Sequence, residues 1–272
     1  GDNARNLKPG MIVTCTPYFN CGHCYSCQRG LVNCCTSNET MGAQRDGAFS
    51  EYITMPIERI YDGKGLSAKT LALIEPFCIS YHGISYHGIS RANIQPNDKV
   101  LVIGAGTIGV LAAVAAKAKG AKVYISDVAE NKMNYAIETF GLDDGILNDS
   151  PENFIKRVEE ITNGNYFDVT IEAVGLPSTF QACIDAAAFG ARMVQIGVGK
   201  RTHEFDFTLL QKKELNVYGS RKALKKDFLE LIDLVKSGKV DLEKIVTNTF
   251  ILDESDNAFE DFSKNFAVYY TH

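Results

Sequence analysis

Runs of apolar residues alternate with segments of helical period through the middle of the chain. Val100–Ile103 is wholly apolar, as in a strand buried on both faces, and Val110–Ala118 is rich in Ala, Val and Leu, as in a helix packed on a sheet. Further strands are predicted at Lys122–Ser126, Phe167–Val174, Ala191–Val198 and Leu215–Ser220. Because helices are predicted between these strands, the pattern indicates an α/β fold with a doubly wound parallel sheet.

Capping residues mark the ends of several predicted helices. Apolar residues spaced i, i+3, i+4 and i+7 over Met133–Phe140 predict an amphipathic helix, and Gly141 is expected to end it. Ser150-Pro151 is expected to begin the next helix, and Ser67 to cap a helix that runs to Ala72. Asp227–Gly238 has the period of another amphipathic helix.

A glycine motif stands between the first buried strand and its helix. Gly104, Gly106 and Gly109 have the G-x-G-x-x-G spacing. The first glycine permits a tight turn, the second lets the backbone approach a pyrophosphate, and the third lets helix and strand pack closely. The pyrophosphate is then expected on the free N–H groups that begin the helix, including those of Thr107 and Ile108.

Asp127 follows the second strand, 18 residues after Gly109. A carboxylate there is placed to accept hydrogen bonds from an adenosine ribose and to repel a 2′-phosphate, and no Arg follows it directly, so NAD is favoured over NADP. Taken alone, Asp127 could equally be a solvated turn residue. The apolar stretch 100–116 borders on a membrane span, but its three glycines and the lysines close behind argue against that alternative.

Composition excludes several classes of function. The chain has 272 residues, 45% hydrophobic and 22% charged, which is typical of a soluble globular protein of one or two domains. A net charge of −5 and a pI near 5.6 argue against nucleic-acid binding. The sequence contains no recognisable signal peptide, so a cytoplasmic protein without a membrane anchor is expected. The chain begins with Gly1 and not with Met.

Five of the eight cysteines lie within Cys21–Cys35. Cys21, Cys24 and Cys27 are spaced by two residues, and with a fourth thiol they can close a tetrahedral site around Zn²⁺. Spacing alone does not choose between Cys34 and Cys35 as the fourth ligand. Disulfides or a redox-active Cys-x-x-Cys remain alternatives.

The cysteine loop, together with the GAGTIG turn and Asp127, resembles the zinc-dependent medium-chain dehydrogenases/reductases, in the branch of the sorbitol, L-idonate and L-galactonate dehydrogenases. The resemblance extends from about Gly10 to about Asn265. It selects Cys35 as the fourth ligand of a structural zinc. The family's loop pattern C-G-x-C-x-x-C-x-x-G-x-x-N-x-C is matched at Cys21, Gly22, Cys24, Cys27, Gly30, Asn33 and Cys35.

The resemblance implies three regions. Residues 1–90 would be a partial GroES-like, β-rich catalytic domain with the structural zinc loop at about 20–36, residues 91–222 a Rossmann NAD-binding domain, and residues 223–272 a return to the catalytic domain. The edge strand at 215–220 would pair with its copy in a second subunit, which gives a homodimer or homotetramer.

The resemblance also implies roles for individual residues. Val174 would lie on the adenosine side of the cofactor, and Gly197 and Val198 near the nicotinamide. Glu75, in a Glu-Pro pair, would lie at the catalytic zinc, although an ordinary helix carboxylate is the alternative. In the stretch Gly42–Pro56, which also resembles the family, three residues are apolar enough for the core: Phe49, Tyr52 and Ile53.

The activity implied is NAD-dependent oxidation of a secondary alcohol of a polyol or sugar acid. In the family a Cys and a His-Glu pair hold the catalytic zinc, and no Gly-His-Glu occurs in this chain. We therefore expect an N-terminally truncated chain that binds NAD weakly and turns over little or nothing. The alternatives are a zinc-free reductase of the same superfamily, a non-catalytic NAD-binding module, and a redox protein that uses its Cys-x-x-Cys pairs.

One repeat fits none of these expectations. Tyr81–Ser85 and Tyr86–Ser90 both have the sequence YHGIS, and five extra residues in a helix would rotate everything beyond them by about 140°. His82 and His87 could be metal ligands, but as products of a duplication they are expected to be incidental.

Overall fold

The computed structural model describes residues 3, 5–84, 92–199, 202 and 204–264. Two small antiparallel pairs stand at the amino-terminal end, where β1 pairs with β4 and β2 with β3. A short helix, α1, lies in the cysteine loop. The bounds are β1 (Val13–Cys15), β2 (Tyr18–Phe19), α1 (Tyr25–Gln28), β3 (Glu39–Thr40) and β4 (Ile60–Asp62).

The rest of the described chain alternates strand and helix from β5 to α9. It consists of α2 (Ala68–Ala72), α3 (Ile74–Ile84), β5 (Lys99–Ile103), α4 (Thr107–Ala118), β6 (Lys122–Asp127), α5 (Glu130–Phe140), β7 (Asp144–Leu147), α6 (Pro151–Thr162), β8 (Phe167–Glu172), α7 (Pro177–Ala186), β9 (Ala187–Gln195), α8 (Thr208–Lys212), β10 (Asn216–Gly219), α9 (Lys225–Lys236) and α10 (Ser255–Lys264).

Six of these strands form one parallel sheet in the order β10-β9-β8-β5-β6-β7. The chain runs outward from β5 in one direction through β6 and β7, and in the other through β8, β9 and β10. The order therefore reverses between β5 and β8, and a crevice opens there at the carboxyl ends of the strands. The predicted α/β fold with a doubly wound parallel sheet is confirmed.

The apolar run of β5 is buried because the sheet is covered on both faces. Val100 and Val102 belong to one core cluster, with residues of α3, α4 and α9, whereas Leu101 and Ile103 belong to a second cluster, with residues of α6 and α7. No described helix is long and apolar enough to span a membrane. The stretch that bordered on a membrane span is instead strand, turn and helix.

The predicted helix ends are found at the expected residues. Ser67 accepts a hydrogen bond from the Thr70 N–H at 3.0 Å, and Ser150 accepts one from the Asn153 N–H at 3.2 Å. Gly141 ends α5 in the left-handed conformation, with φ +62°. One boundary was predicted wrongly: β9 begins at Ala187, four residues early, because α7 leads into it directly and the regular pairing with β8 is interrupted between Phe167 and Val169.

Two expectations about packing need correction. Phe49, Tyr52 and Ile53 are between 43% and 89% exposed, although the ring centroid of Phe49 lies 6.1 Å from that of Phe259 in α10. His82, expected to be incidental, is a buried core residue: its Nδ1 lies 2.8 Å from Asp227 Oδ2, and its Nε2 lies 3.1 Å from Asn33 Nδ2. His87 and the second YHGIS copy lie outside the described residues.

Candidate functional site

The turn after β5 contains three glycines, and each position favours glycine for a different physical reason. Gly104 has φ +111°, a conformation that side chains rarely adopt. A Cβ at Gly109 would lie 1.8 Å from the Gly104 carbonyl oxygen, so only glycine fits this approach. A Cβ at Gly106 would have no atom within 4 Å, which leaves open space in front of the turn. A ligand can therefore approach the backbone at Gly106.

The start of α4 presents unsatisfied N–H groups to this open space. Gly106 is the N-cap and has no side-chain cap, and the first helical hydrogen bond runs from the Val110 N–H to the Gly106 oxygen at 2.9 Å. The N–H groups of Thr107, Ile108 and Gly109 therefore lie outside the helical hydrogen-bond pattern. With the positive end of the helix dipole, these donors suit an anionic group such as a pyrophosphate.

Asp127 is the last residue of β6 and lies against the glycine turn. Its Oδ2 accepts a hydrogen bond from the Ala105 N–H at 2.7 Å, and its Oδ1 accepts one from the Ala129 N–H at 2.9 Å. The carboxylate is half-buried, and its oxygens keep acceptor capacity beyond these two bonds. It is thus held in a fixed orientation beside the turn and can accept further donors from a ligand.

A cavity of about 490 Å³ adjoins this carboxylate, between the carboxyl ends of the strands and the helices α6 and α7. Three carboxylates line it, those of Asp127, Asp149 and Asp185, and none of its described lining residues is Lys, Arg or His. Gly104, Val128 and Val174 also line it. The cavity is therefore apolar with an acidic rim, which suits an uncharged ring and a ribose and disfavours an additional phosphate.

The loops after β8 and β9 pack against each other backbone to backbone. A Cβ at Gly175 would lie 2.7 Å from the Val198 backbone, and a Cβ at Gly197 would lie 2.3 Å from the Gly175 nitrogen. Val174 and Val198 are exposed, at 42% and 90%. The structure thus brings the predicted residues Val174, Gly197 and Val198 together, although only Val174 lines the cavity.

Sequence reasoning missed Glu172, the last residue of β8, which is fully buried. Its Oε1 accepts hydrogen bonds from the N–H groups of Val174 at 3.0 Å and Gly175 at 2.8 Å, and from the Thr179 hydroxyl at 2.6 Å. Its Oε2 accepts from Gln195 Nε2. The available signal was a single carboxylate near the end of the apolar run FDVTIEAV, since a charge at such a position needs partners.

Four thiols cluster in the loop that contains α1. The Sγ atoms of Cys21, Cys24, Cys27 and Cys35 all lie within 4.8 Å of one another, and Cys34 is outside the group. The N–H of Cys24 lies 3.3 Å from the Cys21 Sγ, and the N–H of Cys21 lies 3.3 Å from the Cys35 Sγ. This spacing of four sulfurs fits one tetrahedral metal ion.

Backbone donors favour the thiolate form of two of these cysteines. The N–H groups of Cys27 and then Thr36 lower the pKa of the Cys24 thiol to about 5. The Cys21 N–H lowers the pKa of Cys35, whereas burial raises the pKa of Cys27 to about 11. Because thiolates are the metal-binding form of cysteine, the donor set and its hydrogen bonds fit Zn²⁺.

Glu75 lies in the first turn of α3, on the side that faces the amino-terminal strands. The Tyr18 hydroxyl donates a hydrogen bond to its Oε1. Burial raises the pKa of Glu75, and burial together with the charge of Glu75 raises the pKa of Tyr18. In the described part of the chain only the four thiols form a group of three or more potential metal ligands, so Glu75 has no ligand set around it.

Two family profiles match the chain. The profile described as "Zinc-binding dehydrogenase" matches residues 107–237, and the profile described as "Alcohol dehydrogenase GroES-like domain" matches residues 1–64. The chain is similar to L-galactonate-5-dehydrogenase of Escherichia coli strain K12, with 33% identity over 250 residues that cover 92% of this chain and 72% of that protein.

Two solved structures share the fold. A protein of Escherichia coli CFT073, described as a short chain alcohol dehydrogenase complexed with the cofactor NADH, superimposes with a TM-score of 0.83 at 29% identity, over 92% of this chain and 72% of that one. A zinc-binding dehydrogenase of Sinorhizobium meliloti 1021, bound to NADP, gives a TM-score of 0.84 at 27% identity, over 93% of this chain and 74% of that one.

Proposed function

The chain belongs to the zinc-binding dehydrogenases of the alcohol dehydrogenase type, and on that premise we propose that its crevice binds NAD(H) for the oxidation of a secondary alcohol of a polyol or sugar acid. The observation that carries the proposal is the open space at Gly106, which lies in front of free N–H donors and beside a fixed carboxylate. The L-galactonate-5-dehydrogenase relative supports the substrate class.

Different residues of the crevice would bind different parts of the cofactor. The N–H groups of Thr107 and Ile108 would hold the pyrophosphate at Gly106, and Asp127 would accept hydrogen bonds from the adenosine ribose. The exposed side chains of Val174 and Val198 offer apolar surface for the two ring systems. When bound, the nicotinamide supplies the hydride acceptor, and the protein supplies the orientation.

Selectivity for NAD over NADP is part of the proposal. The carboxylate of Asp127 would lie against a 2′-phosphate, and no cationic side chain lines the described cavity to offset the repulsion. The similar structure from Sinorhizobium meliloti is bound to NADP. The cofactor selectivity of this chain therefore has to be measured directly.

The proposed metal site is structural, and none of its four cysteines lines the cavity of the crevice. Cys21, Cys24, Cys27 and Cys35 would hold one Zn²⁺ that fixes the loop at about 20–36. The loop has few buried apolar side chains, so its shape would depend on the metal.

Glu75 is proposed to face the side where the family holds its catalytic zinc. The described residues do not complete a ligand set around Glu75, so Glu75 alone does not make a metal site. We therefore expect this 272-residue chain to bind cofactor with little or no alcohol oxidation. The same observation favours a second candidate function, a non-catalytic NAD-binding module, and measurable oxidation of a polyol by the purified chain would exclude it.

Domain organisation and assembly complete the proposal. We assign residues 1–90 and 223–272 to a catalytic domain and residues 91–222 to the cofactor-binding domain.

The strand β10 stands at one end of the sheet order and pairs only with β9 among the described strands. Its free edge would pair with a second copy of the chain, to give a homodimer or a homotetramer.

Equilibrium dialysis with NADH and NADPH tests the cofactor assignment. We expect saturable binding of one NADH per chain and binding of NADPH that is weaker by about tenfold or more. The variant Asp127→Asn should reduce the difference between the NADH and NADPH affinities, because it keeps a polar side chain and removes the negative charge. Equal affinities for both cofactors in the unmodified protein would contradict the assignment of Asp127, and no binding of either would contradict the proposed function.

A further inference from the structure

Glu172 is a fully buried carboxylate beneath the two loops that form one wall of the crevice. It ends β8, next to β5, where the order of the strands reverses. Nothing in the proposed function uses it, yet the described hydrogen bonds of its side chain go to the loop after β8, to the start of α7 and to the end of β9.

Both oxygens of the Glu172 carboxyl group accept hydrogen bonds. Oε1 accepts from the backbone N–H groups of Val174 and Gly175, which can only donate. Oε2 faces the amide of Gln195, whose nitrogen also donates to the Gly197 carbonyl at 2.8 Å. That second bond fixes which end of the amide is the nitrogen, so Oε2 is also an acceptor. Both carboxyl oxygens thus have partners that can only donate, two peptide N–H groups on Oε1 and an amide nitrogen on Oε2, whereas the Thr179 hydroxyl has one proton for two acceptors, Oε1 at 2.6 Å and the Leu176 carbonyl at 2.8 Å.

This charge has no cationic partner among the residues that the structure describes. Its hydrogen-bond donors are two peptide groups, a hydroxyl and an amide, all of them neutral, and it takes part in no described ion pair. Neutral donors solvate a buried anion but leave its net charge in place. In a buried site a net charge acts over a longer distance than it would in water.

The carboxylate also joins the two loops to each other. Val174 and Gly175 bind Oε1 from the loop after β8, whereas Gln195 binds Oε2 from the end of β9. A Cβ at Gly197 would lie 2.4 Å from Oε2, so the second loop rests directly on the carboxylate. Together with the direct packing of Gly175 on the Val198 backbone, this side chain therefore holds the loops that carry Val174 and Val198 next to each other.

We propose that Glu172 is a positioning residue of the cofactor crevice, and that its negative charge favours the positively charged nicotinamide of NAD⁺ over the neutral ring of NADH. The inference rests on the proposed function, in which Gly197 and Val198 lie beside the nicotinamide. Oxidation of an alcohol consumes NAD⁺, so a buried anion at this place biases the crevice toward the cofactor form that this direction of the reaction requires.

The test compares the dissociation constants of NAD⁺ and NADH for the unmodified protein and for Glu172→Gln. The substitution keeps the size of the side chain and the oxygen that accepts from the Val174 and Gly175 N–H groups, removes the charge, and places an amide nitrogen opposite the Gln195 amide. We expect the ratio of the NAD⁺ constant to the NADH constant to rise on the order of tenfold. A ratio that stays unchanged, even if both affinities fall, would overturn the role of the charge.

Two further variants separate charge from position. Thr179→Val removes one hydrogen bond to the carboxylate and leaves the charge, so both cofactors should bind several-fold more weakly without a rise in the ratio. If Glu172→Gln fails to fold, unaltered affinities for both cofactors in Thr179→Val overturn the positioning role.

Asp227→Asn is the matched control. It removes another fully buried carboxylate, which is hydrogen-bonded to His82, and should lower stability without changing the ratio of the NAD⁺ and NADH dissociation constants.

The outcomes also distinguish this inference from the proposed function. If the unmodified protein binds neither NAD⁺ nor NADH, the proposed function fails and the inference fails with it. If the unmodified protein binds both and Glu172→Gln leaves the ratio unchanged, only the role of the Glu172 charge is lost.

Discussion

At the scale of single residues, two glycines of the same turn should respond differently to alanine. At Gly109 a Cβ would lie 1.8 Å from a backbone oxygen, so Gly109→Ala should lower the free energy of unfolding by about 1–3 kcal/mol. Gly106 has φ −79° and open space around it, so Gly106→Ala should fold normally and bind NADH about tenfold more weakly. Urea unfolding and NADH titration measure the two effects. Unchanged NADH affinity in Gly106→Ala would place the pyrophosphate elsewhere.

Glu75 should make stability depend on pH in a defined direction. Burial raises the pKa of Glu75 above its ordinary value of 4.5, so the ionised side chain destabilises the folded state at neutral pH. This penalty is absent when the group is protonated in both states, below 4.5, and is fully present above the raised pKa. Glu75→Gln should therefore be more stable than the unmodified protein at pH 7, with a difference that disappears as the pH falls below 4.5.

The control for this experiment is Glu58→Gln, at an exposed glutamate. Both variants should be measured in the same metal state, and the control should show no such pH-dependent difference. If Glu75→Gln were less stable than the unmodified protein at pH 7, the hydrogen bond from the Tyr18 hydroxyl would outweigh the cost of burying the charge, and the prediction would be wrong.

Residues with a role in a local motif were predictable, and residues defined by distant partners were not. Gly104, Gly106 and Asp127 stand at fixed spacings around one strand and turn, so the sequence identifies them. Glu172 is recognisable as unusual only by its polarity, because its partners come from several loops. His82 pairs with Asp227, 145 residues away, and no local pattern contains that information.

At the scale of elements, the cysteine loop offers a matched pair of substitutions. Cys35 belongs to the four-thiol group and its neighbour Cys34 does not. Cys35→Ser should therefore lose zinc, whereas Cys34→Ser should retain one equivalent, as measured by elemental analysis after dialysis. Equal zinc content in both variants would contradict the assignment of the fourth ligand.

The loop is tied to the rest of the molecule through Asn33. Its Nδ2 donates to the Arg221 carbonyl at 3.0 Å and contacts His82 Nε2 at 3.1 Å. Removal of zinc should therefore affect the loop first and the parallel sheet least, since the sheet has its own two core clusters. Near-ultraviolet circular dichroism before and after chelation, compared with far-ultraviolet spectra, measures the difference.

Elements with strong periodicity were predicted well because their burial is local. The strand β5 and the helices α4, α5, α6 and α9 follow the apolar pattern. Ser67 caps α2, Gly141 ends α5 and Ser150 caps α6, as predicted. The start of β9 was missed because Gly190, with φ +75°, lies inside the strand and its pairing with β8 is irregular. The exposure of Phe49 and Tyr52 was missed because polarity alone does not tell what packs over a segment.

At the scale of the whole molecule, the free edge of β10 leads to a prediction about assembly. Val217 lies on this strand and is 39% exposed. Val217→Lys should shift the protein from dimer to monomer in sedimentation equilibrium, because a charge on an edge strand opposes pairing with another edge. Leu229→Lys, at a residue of α9 that is 40% exposed, is the matched control and should leave the assembly unchanged. A monomer in the unmodified protein would contradict the proposed pairing.

The strand order places the proposed cofactor site where an α/β sheet most readily binds a ligand. The crevice opens between β5 and β8, and the glycine turn, Asp127, Val174 and Glu172 all lie at the carboxyl ends of their strands. The sequence predicted the parallel sheet from its alternating pattern. The arrangement of the two loops over Glu172 could not be predicted from the sequence, because it depends on contacts between residues of separate strands.

Hydrogen–deuterium exchange in the presence and absence of NADH tests the central claim most directly. We expect NADH to slow exchange in peptides that cover residues 103–110, 126–130 and 173–177, since these contain the free N–H groups and the loops of the crevice. Exchange in the cysteine loop at 20–36 should be unaffected by NADH. Protection that is absent from the glycine turn, or found only outside the crevice, would contradict the account.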